Sequence, residues 1–277
     1  MRPNVPIDVI SLLPALDRQL IELLKSLSPE EWQAQTIARL WKVKDVAAHL
    51  LDGNIRTLSM ARDGYFHSSP EIHSYEDLIG YLNGLNAEWV AAMKRVSPQM
   101  LILLHELTGP LFCEYYASLD PFGKAIFPVD WAGESESRNW MHIARDYTEK
   151  FLHQQQIRDA VHKPGIMTRE FFYPFIDVFM LALPHTFREV HAPEGTSVMV
   201  TVTGESGGSW ALQRSENRWQ LTKEKILHPT VEVRLSPDTS WRLFSKSLRP
   251  EQVENDVVIS GDQKLGEIAL TMVPVMA

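Results

Sequence analysis

The chain has 277 residues, of which 44% are apolar and 22% are charged, and this is the composition of an ordinary soluble globular protein. Its formal net charge is −8 and no run of lysine and arginine stands out, which argues against nucleic acid and anionic membrane surfaces as partners. The lone cysteine, Cys113, excludes an internal disulfide. We therefore expect a cytoplasmic protein, monomeric or homodimeric, that binds a small molecule.

The chain also lacks the signals of membrane insertion or export. Its first residues have no apolar core of a signal peptide, and Asp8 follows soon after them. The most apolar stretch, 171–183, contains Pro174 and Asp177 and is shorter than the roughly 20 apolar residues that cross a bilayer. This stretch predicts a buried helix.

The first part of the chain has the pattern of long amphipathic helices. Apolar residues recur at three- and four-residue spacing in four segments: 7–27, 43–62, 75–96 and 137–161. Residues 99–136 are less regular, and a helix over 101–116 is expected to be interrupted at Gly109-Pro110. These segments predict a four-helix bundle with one elaborated connection.

After residue 163 the pattern changes from long helices to strands. One more helix is predicted over about 168–190, and shorter helices are predicted from Pro237 and from Gly261. Strands are predicted over five segments: 197–203, 209–213, 218–221, 230–235 and 257–260. The sequence thus predicts an α+β protein, with a helical bundle over 1–163 and a smaller α/β sandwich-type domain over 164–277.

The most informative spacing joins His49, Glu149 and His153. Glu149 and His153 are four residues apart in one predicted helix, so their side chains project from the same face. His49 lies on another predicted helix. Two imidazoles and one carboxylate from two helices make a ligand set that binds a divalent metal and leaves positions open for substrate.

Each of these residues also has an ordinary explanation. His49 on an apolar face is typical of a hydrogen-bonded core histidine, and Glu149 with His153 could be an exposed pair. Asp45, one turn before His49, could accept its second ring N–H or be a solvated carboxylate. His142, two turns before Glu149, could replace it as a ligand or add a fourth contact. Two helical turns are, however, a long separation for residues that bind one ion at ligand distances of about 2.0–2.2 Å. The three residues favour a metal only when they are considered together, because a buried glutamate is costly unless it is paired or coordinates a cation.

Three motifs resemble the mycothiol-dependent maleylpyruvate isomerase family. They are Trp-x-Val-x-Asp-Val-x-x-His-Leu at 41–50, Trp-Ala-Gly-Glu at 131–134 and Glu-x-x-x-His at 149–153. The resemblance implies a DinB-like bundle in which His49, Glu149 and His153 bind a divalent metal, commonly zinc, with nickel as an alternative. It also implies a C-terminal domain related to sterol-carrier-like folds, and residues 258–262 fit that pattern.

The leading functional hypothesis is an enzyme that uses a low-molecular-weight thiol as an isomerase or S-transferase, because metal coordination favours the reactive thiolate. Arg242 or Arg249 could orient a substrate carboxylate, or could be surface charges. One alternative is a metal-dependent hydrolase with Glu134 or Asp45 as the base. Another is a non-enzymatic protein that binds an apolar ligand and carries a structural metal. No residue is singled out as catalytic, and the substrate is not assigned.

Overall fold

The structure is a computed structural model, and it confirms the predicted α+β class: helices fill the first part of the chain and a five-stranded sheet follows. It describes residues 5–66, 71, 73–127, 129, 132–133, 135–222 and 226–274. Within those ranges, no helix combines the length and the apolar character needed to span a membrane.

The chain divides into two compact units. The first contains the residues up to Ile126 together with Arg138–Ile166, and the second contains Phe127–Ser137 together with Met167–Met276. The segment Phe127–Ser137 therefore belongs to the second unit, although the sequence suggested one boundary near residue 163. Gly133 of the segment lies close against the His185 ring, and within the segment the Val129 N–H donates to Ser137 Oγ (2.8 Å). Gly133 has φ +80°, so a side chain at this position would be strained as well as crowded.

The first unit is built from long helices: α1 (Leu13–Lys25), α2 (Val43–Arg56), α3 (Tyr75–Met93), α4 (Pro98–Ser118) and α5 (Asn139–Ala160). A π-helical turn, Thr57–Arg62, extends α2. Helix α2 packs against α3, α4 and α5, and α1 packs against α4 and α5. Their shared core contains mostly aliphatic side chains, including Leu20, Leu24, Val46, Leu50, Leu101 and Ile157.

Helix α4 differs most from its sequence prediction. It continues through Gly109-Pro110 without a break and is a full member of the bundle, whereas α3 packs on α2 alone among the pairs with extensive contact. Proline removes one backbone hydrogen bond, but side chains on both sides of it are buried and hold the helix together. These buried residues are Leu101, His105, Phe112, Cys113 and Tyr116. Tertiary packing therefore overrides the local helix-breaking signal.

The second unit is a five-stranded sheet with helices packed on it. Its strands are β1 (Ser197–Val202), β2 (Gly208–Ser215), β3 (Arg218–Thr222), β4 (Val231–Leu235) and β5 (Val257–Gly261), in the order β3-β2-β1-β4-β5. β1 and β4 are parallel and the other neighbouring pairs are antiparallel. Alternate residues of β1 and β4, such as Val198, Val200 and Val233, are fully buried, as the two-residue period requires. The predicted strand positions are confirmed within two residues at each end.

The helices of this unit are α6 (Arg169–Met180), α7 (Leu183–Thr186), α8 (Pro237–Phe244) and α9 (Gln263–Leu270). The single helix predicted over 168–190 is thus divided in two. The break falls at residues 181–182, and Pro184 lies in the first turn of α7, where its missing N–H and bulky ring disfavour continuation of the preceding helix. Helix α9 packs on β1, β4 and β5, and α7 packs on β3.

Candidate metal site

Helix α2 carries His49, which is half-buried. Its first turn is closed by Asp45, whose Oδ2 accepts a hydrogen bond from the Lys42 N–H (3.0 Å). The helix is fixed in the core by residues such as Val46 and Leu50, which flank His49. The His49 ring packs against Trp41, with a centroid distance of 4.7 Å. The core and the aromatic neighbour together restrict where this imidazole can lie.

Helix α5 carries Glu149 and His153 on one face. The helix is anchored by Tyr147, Phe151 and Ile157, all fully buried. The four-residue spacing brings His153 Nε2 within 3.3 Å of Glu149 Oε2. The His153 side chain retains 13% of its exposure and that of Glu149 retains 39%, so the pair lies at the edge of the core rather than inside it.

The structure brings the three predicted residues together. One ligand atom from each of His49, Glu149 and His153 lies within 4.8 Å of the other two, and among the described residues this is the group of histidine and acidic side chains suited to a metal ion. The two imidazole rings meet edge to face, 4.6 Å between centroids. Tetrahedral ligands at about 2.1 Å from an ion are about 3.4 Å apart, close to the separation of Glu149 Oε2 and His153 Nε2. Small rotations of the side chains would complete the set.

The hydrogen bonds of His153 indicate that a cation belongs between it and Glu149. Its Nδ1 lies 2.8 Å from Gln156 Oε1, an acceptor, so Nδ1 carries the proton and donates it to this bond. In the neutral ring Nε2 then presents a lone pair to the Glu149 carboxylate. Two lone pairs at 3.3 Å repel unless a proton or a metal ion lies between them. The donor set therefore fits a divalent metal.

The surroundings of His49 also indicate that a metal ion fits the site. Its Nδ1 is buried and has no hydrogen-bond partner among the described residues. A buried polar atom without a partner is costly, and a bound cation would supply the missing interaction. Burial lowers the pKa of His49 well below its usual value, and the nearby His153 and Arg56 lower it further. The ring is therefore neutral at pH 7, the form that binds metals.

Glu149 is held in its charged form. Burial raises the pKa of its carboxyl group, but a proton on His153 Nε2 in place of the metal, together with the charge of Arg145, outweighs burial and brings the pKa below its usual range. Arg145 lies one helical turn before Glu149 and is ion-paired with Asp146 (2.5 Å). Arg145 was not predicted from sequence, because its position relative to the trio becomes meaningful only once α5 is known to face inward.

A second group of polar side chains lies about one turn closer to the N-terminus of α5 than Glu149. The Tyr116 hydroxyl donates a hydrogen bond to Asp146 Oδ2. Burial raises the pKa of Tyr116 well above its usual value and Asp146 adds to this, so the phenol stays protonated. The Tyr116 ring contacts His142 edge to face, 6.2 Å between centroids. Tyr116 and Asp146 were missed from sequence, since nothing local indicates that α4 and α5 meet here.

The other candidate residues are placed differently. Asp45 closes the first turn of α2. His142 is buried beside Tyr116 and is not among the residues whose ligand atoms converge. Glu134 lies outside the described residues, as does Trp131 of the same motif. A contribution of Asp45, His142 or Glu134 to the site stays a prediction.

Arg242 and Arg249 belong to the second unit. Arg242 is ion-paired with Asp238 one turn earlier in α8, and its guanidinium lies over the Trp241 ring at 5.0 Å. The backbone N–H of Arg249 donates to Gln252 Oε1 (2.9 Å) at the start of a short 3-10 turn. Gln156, by contrast, contacts the trio directly but was not predicted, although its position three residues after His153 is a usable signal.

Comparisons with known proteins agree with this fold. Residues 13–158 match the family described as the mycothiol maleylpyruvate isomerase N-terminal domain. The search of curated proteins gave no significant match. Among solved structures, the mycothiol-dependent maleylpyruvate isomerase is similar, with 13% identity and a TM-score of 0.54, and so is a histidine-to-alanine mutant of that enzyme, with 12% identity and 0.53. In both, the similarity covers 91% of each chain.

At these identities the structural similarity establishes the fold, which extends over both units. The family match covers just over half of the chain and includes the three residues of the candidate site. The chain belongs to the mycothiol maleylpyruvate isomerase family.

Proposed function

We propose that this protein is a metal-dependent enzyme that uses a low-molecular-weight thiol to act on a small electrophile, as an isomerase or an S-transferase. The observation that carries the proposal is the convergence of His49, Glu149 and His153 at the edge of the bundle core. Membership of the family supports the thiol, since mycothiol stands in the family's description. We further propose zinc as the metal and the cytoplasm as the location.

A divalent cation held by these three residues would act as a Lewis acid that lowers the pKa of a thiol at its open positions. The protein's own residues prepare the site. Neutral His49 offers a lone pair, and Glu149 supplies one negative charge. Gln156 accepts the Nδ1 proton of His153 and so keeps Nε2 free to coordinate. Together they hold the ligand set in its binding form before the thiol arrives.

Trp41 adds a wall to this site. Its ring lies 4.7 Å from that of His49 and 6.0 Å from that of His153, measured between centroids. An aromatic wall excludes water from one side of the two imidazoles and strengthens electrostatic interactions there. This side of the site favours a nucleophile delivered by a bound thiol over one taken from bulk water.

A hydrolase has less support in the described residues. It would need a base beside the metal, and the proposed base Asp45 is engaged in the capping box at the start of α2, where it accepts from the Lys42 N–H. The thiol-dependent reading requires no such base, because the nucleophile is activated by coordination.

The first test is metal content. We expect purified wild-type protein to bind one equivalent of zinc and the variants His49→Ala and His153→Ala to lose it. His191→Ala, which changes an exposed histidine of the second unit, is the matched control. Unchanged metal content in both site variants would refute the metal site.

The second test is thiol use. The zinc-loaded protein is incubated separately with mycothiol, bacillithiol and glutathione, each with a panel of cis-alkene electrophiles, and conjugates and isomers are measured by mass spectrometry and NMR. We expect products above the uncatalysed rate with at least one thiol, and none above it with His49→Ala. Absence of catalysis with every thiol would refute the thiol-dependent function even if the metal site is present.

A further inference from the structure

Helix α4 is apolar on two sides. Its inward face is buried in the bundle, where the helix packs against α1 and α2. Its outward face carries a second row of large apolar side chains, which we call the α4 row: Met100, Leu103, Leu107 and Leu111. Each of these residues retains between 42% and 59% of its exposure. Because a helix that is apolar on all sides is normally buried on all sides, we expect the outward face to be covered by a partner.

The α4 row is continuous and uncharged. Its members follow one another at spacings of three, four and four residues, so they lie along one side of the helix over about 16 Å. The structure describes all of residues 99–111, and the other exposed positions there are Gln99 and Pro110. A charged pair, Lys25 with Glu106, borders the row on the side of α1. An apolar surface with a polar border is typical of a protein–protein interface.

The charges at the two ends of α4 are complementary. Glu114 is exposed on the same side as the row, two turns beyond Leu107, whereas Lys94 and Arg95 are exposed just before the helix begins. The helix dipole adds partial positive charge at that N-terminal end. If two copies of α4 pack antiparallel about Leu107, Glu114 of each copy lies level with the first turn of the other. A parallel pair would place Glu114 beside Glu114 and the basic residues beside one another, so the charges favour the antiparallel pair.

We propose that the α4 row is the interface of a homodimer, in which a second copy of this chain packs its α4 antiparallel to the first about a two-fold axis at Leu107. A two-fold interface is self-complementary, so the same row supplies both sides. Leu103 then faces Leu111 of the second copy, and the spacing of three and four residues allows the side chains to interdigitate. The inference is independent of the proposed function, because α4 carries none of the residues of the candidate metal site.

The dimensions of the helix set the expected strength of the dimer. The 21 residues of α4 give a face about 30 Å long and about 10 Å wide, which is small for an interface between subunits. We therefore expect a dissociation constant on the order of micromolar, measurable by sedimentation velocity of the full-length protein at concentrations from about one-tenth to about a hundred times that value.

The first variant introduces a charge at the two-fold axis. Leu107→Glu places two carboxylates opposite each other, and we expect association to weaken by at least about a hundredfold. Leu227→Glu changes a leucine of the second unit that is 72% exposed, and as the matched control it should associate like the wild type. Circular dichroism should be unchanged in both variants, since both side chains are exposed.

The second set of variants reverses the charges at the ends of α4. Glu114→Lys sets a lysine against Lys94 and Arg95 of the second copy, and association should weaken about tenfold. The triple variant Lys94→Glu/Arg95→Glu/Glu114→Lys exchanges the signs and should regain most of the lost affinity. Failure of the triple variant to recover would overturn the proposed pairing of the ends.

Cross-linking tests the orientation. The single cysteine, Cys113, is buried, and a Cys113→Ala background makes an introduced cysteine the only thiol. Leu107→Cys lies on the two-fold axis, where helix axes about 8–10 Å apart bring the two Cα atoms into disulfide range, so oxidation should give a covalent dimer. Met100→Cys should give none, because the two copies of this residue are about 21 Å apart along the axis of an antiparallel pair.

A wild-type protein that dissociates on Leu107→Glu and not on Leu227→Glu supports the proposal. A wild type that stays monomeric at the highest concentration would overturn it, as would a dimer that Leu107→Glu leaves intact. Covalent dimers through Met100→Cys in place of Leu107→Cys would overturn the antiparallel arrangement.

Discussion

Helix α5 carries two polar clusters that begin at adjacent residues, Glu149 and Lys150, and they are built in opposite ways. Lys150 is buried, and its Nζ donates to Asn54 Oδ1 (2.5 Å) and lies over the Phe112 ring. Asn54 in turn donates to Thr108 Oγ1 (3.0 Å). These polar groups form a chain of hydrogen bonds within the core. One residue earlier, Glu149 faces two imidazoles at the edge of the core, and His49 Nδ1 has no hydrogen-bond partner among the described residues.

The contrast distinguishes polar residues that stabilise the fold from polar residues that bind a ligand. A buried cluster whose members bond to one another has no remaining capacity for a ligand. A partly exposed cluster with an unpartnered imidazole and two opposed lone pairs is stabilised by a cation, either a proton or a metal ion, between its members. The difference predicts that substitutions in the two clusters have separable effects, one on metal binding and the other on the free energy of unfolding.

The largest expected effect is at the metal site. Glu149→Gln keeps the side-chain shape and removes the negative charge, so we expect a decrease in zinc affinity larger than the roughly 10–100-fold typical of changes around a ligand. Zinc content after gel filtration and competition with a chromophoric chelator measure this. Glu88→Gln, at an exposed position of α3, serves as the control. Equal zinc content in all three proteins would contradict the assignment of Glu149.

The next largest effect is in the buried cluster. Asn54→Ala leaves the Lys150 ammonium group buried without its hydrogen-bond acceptor, and we expect the free energy of unfolding to fall by about 4 kcal/mol. Urea denaturation followed by circular dichroism measures this. Zinc content per folded molecule should be unchanged. Loss of zinc from a folded Asn54→Ala protein would show that the two clusters are not independent.

Acid should weaken the fold through the interior histidine His105. Its Nε2 lies 2.9 Å from the Ala47 carbonyl oxygen, and burial lowers its pKa to about 4. Between pH 6.5 and about 4 the unfolded chain binds a proton at this histidine and the folded chain does not. Protonation of His105 therefore leaves the free energy of unfolding unchanged above pH 6.5. As the pH falls toward about 4, it lowers that free energy by about 3 kcal/mol in total.

This pH dependence is measured with zinc-free protein, so that metal release does not contribute. Urea denaturation at pH 7, 5.5 and 4.5 should show a smaller decrease in His105→Leu than in the wild type. The same slope in both proteins would mean that other groups cause the acid sensitivity.

The smallest expected effect is at Gln156. Gln156→Leu removes the acceptor that fixes the protonated nitrogen of His153, and we expect zinc affinity to fall about tenfold, with no loss of stoichiometric binding at high zinc concentration. Gln155→Leu, the adjacent buried glutamine, is the matched control. No change in affinity would show that His153 is oriented by its packing alone.

The sequence predicted those parts of the fold that local patterns control. Helical periodicity and alternating β-branched residues gave the helix and strand positions, and the spacing of Glu149 and His153 indicated their convergence with His49. Residues whose roles depend on packing between distant elements could not be predicted. Tyr116 and Asp146 meet only because α4 belongs to the bundle, and Gly109-Pro110 gave a misleading local signal there. Gln156 was missed because a glutamine on a helix has many ordinary explanations.

The assignment of Phe127–Ser137 to the second unit bears on how the protein can be cut and recombined. The polypeptide passes from one unit to the other at Ile126, returns at Arg138 and leaves again after Ile166. A gene fragment ending near residue 163 would therefore encode the bundle together with an orphaned piece of its neighbour, without the His185 ring on which Gly133 packs. Along the chain, a segment of the second unit is inserted within the first. Truncation or gene fusion at one junction would therefore not give either unit complete.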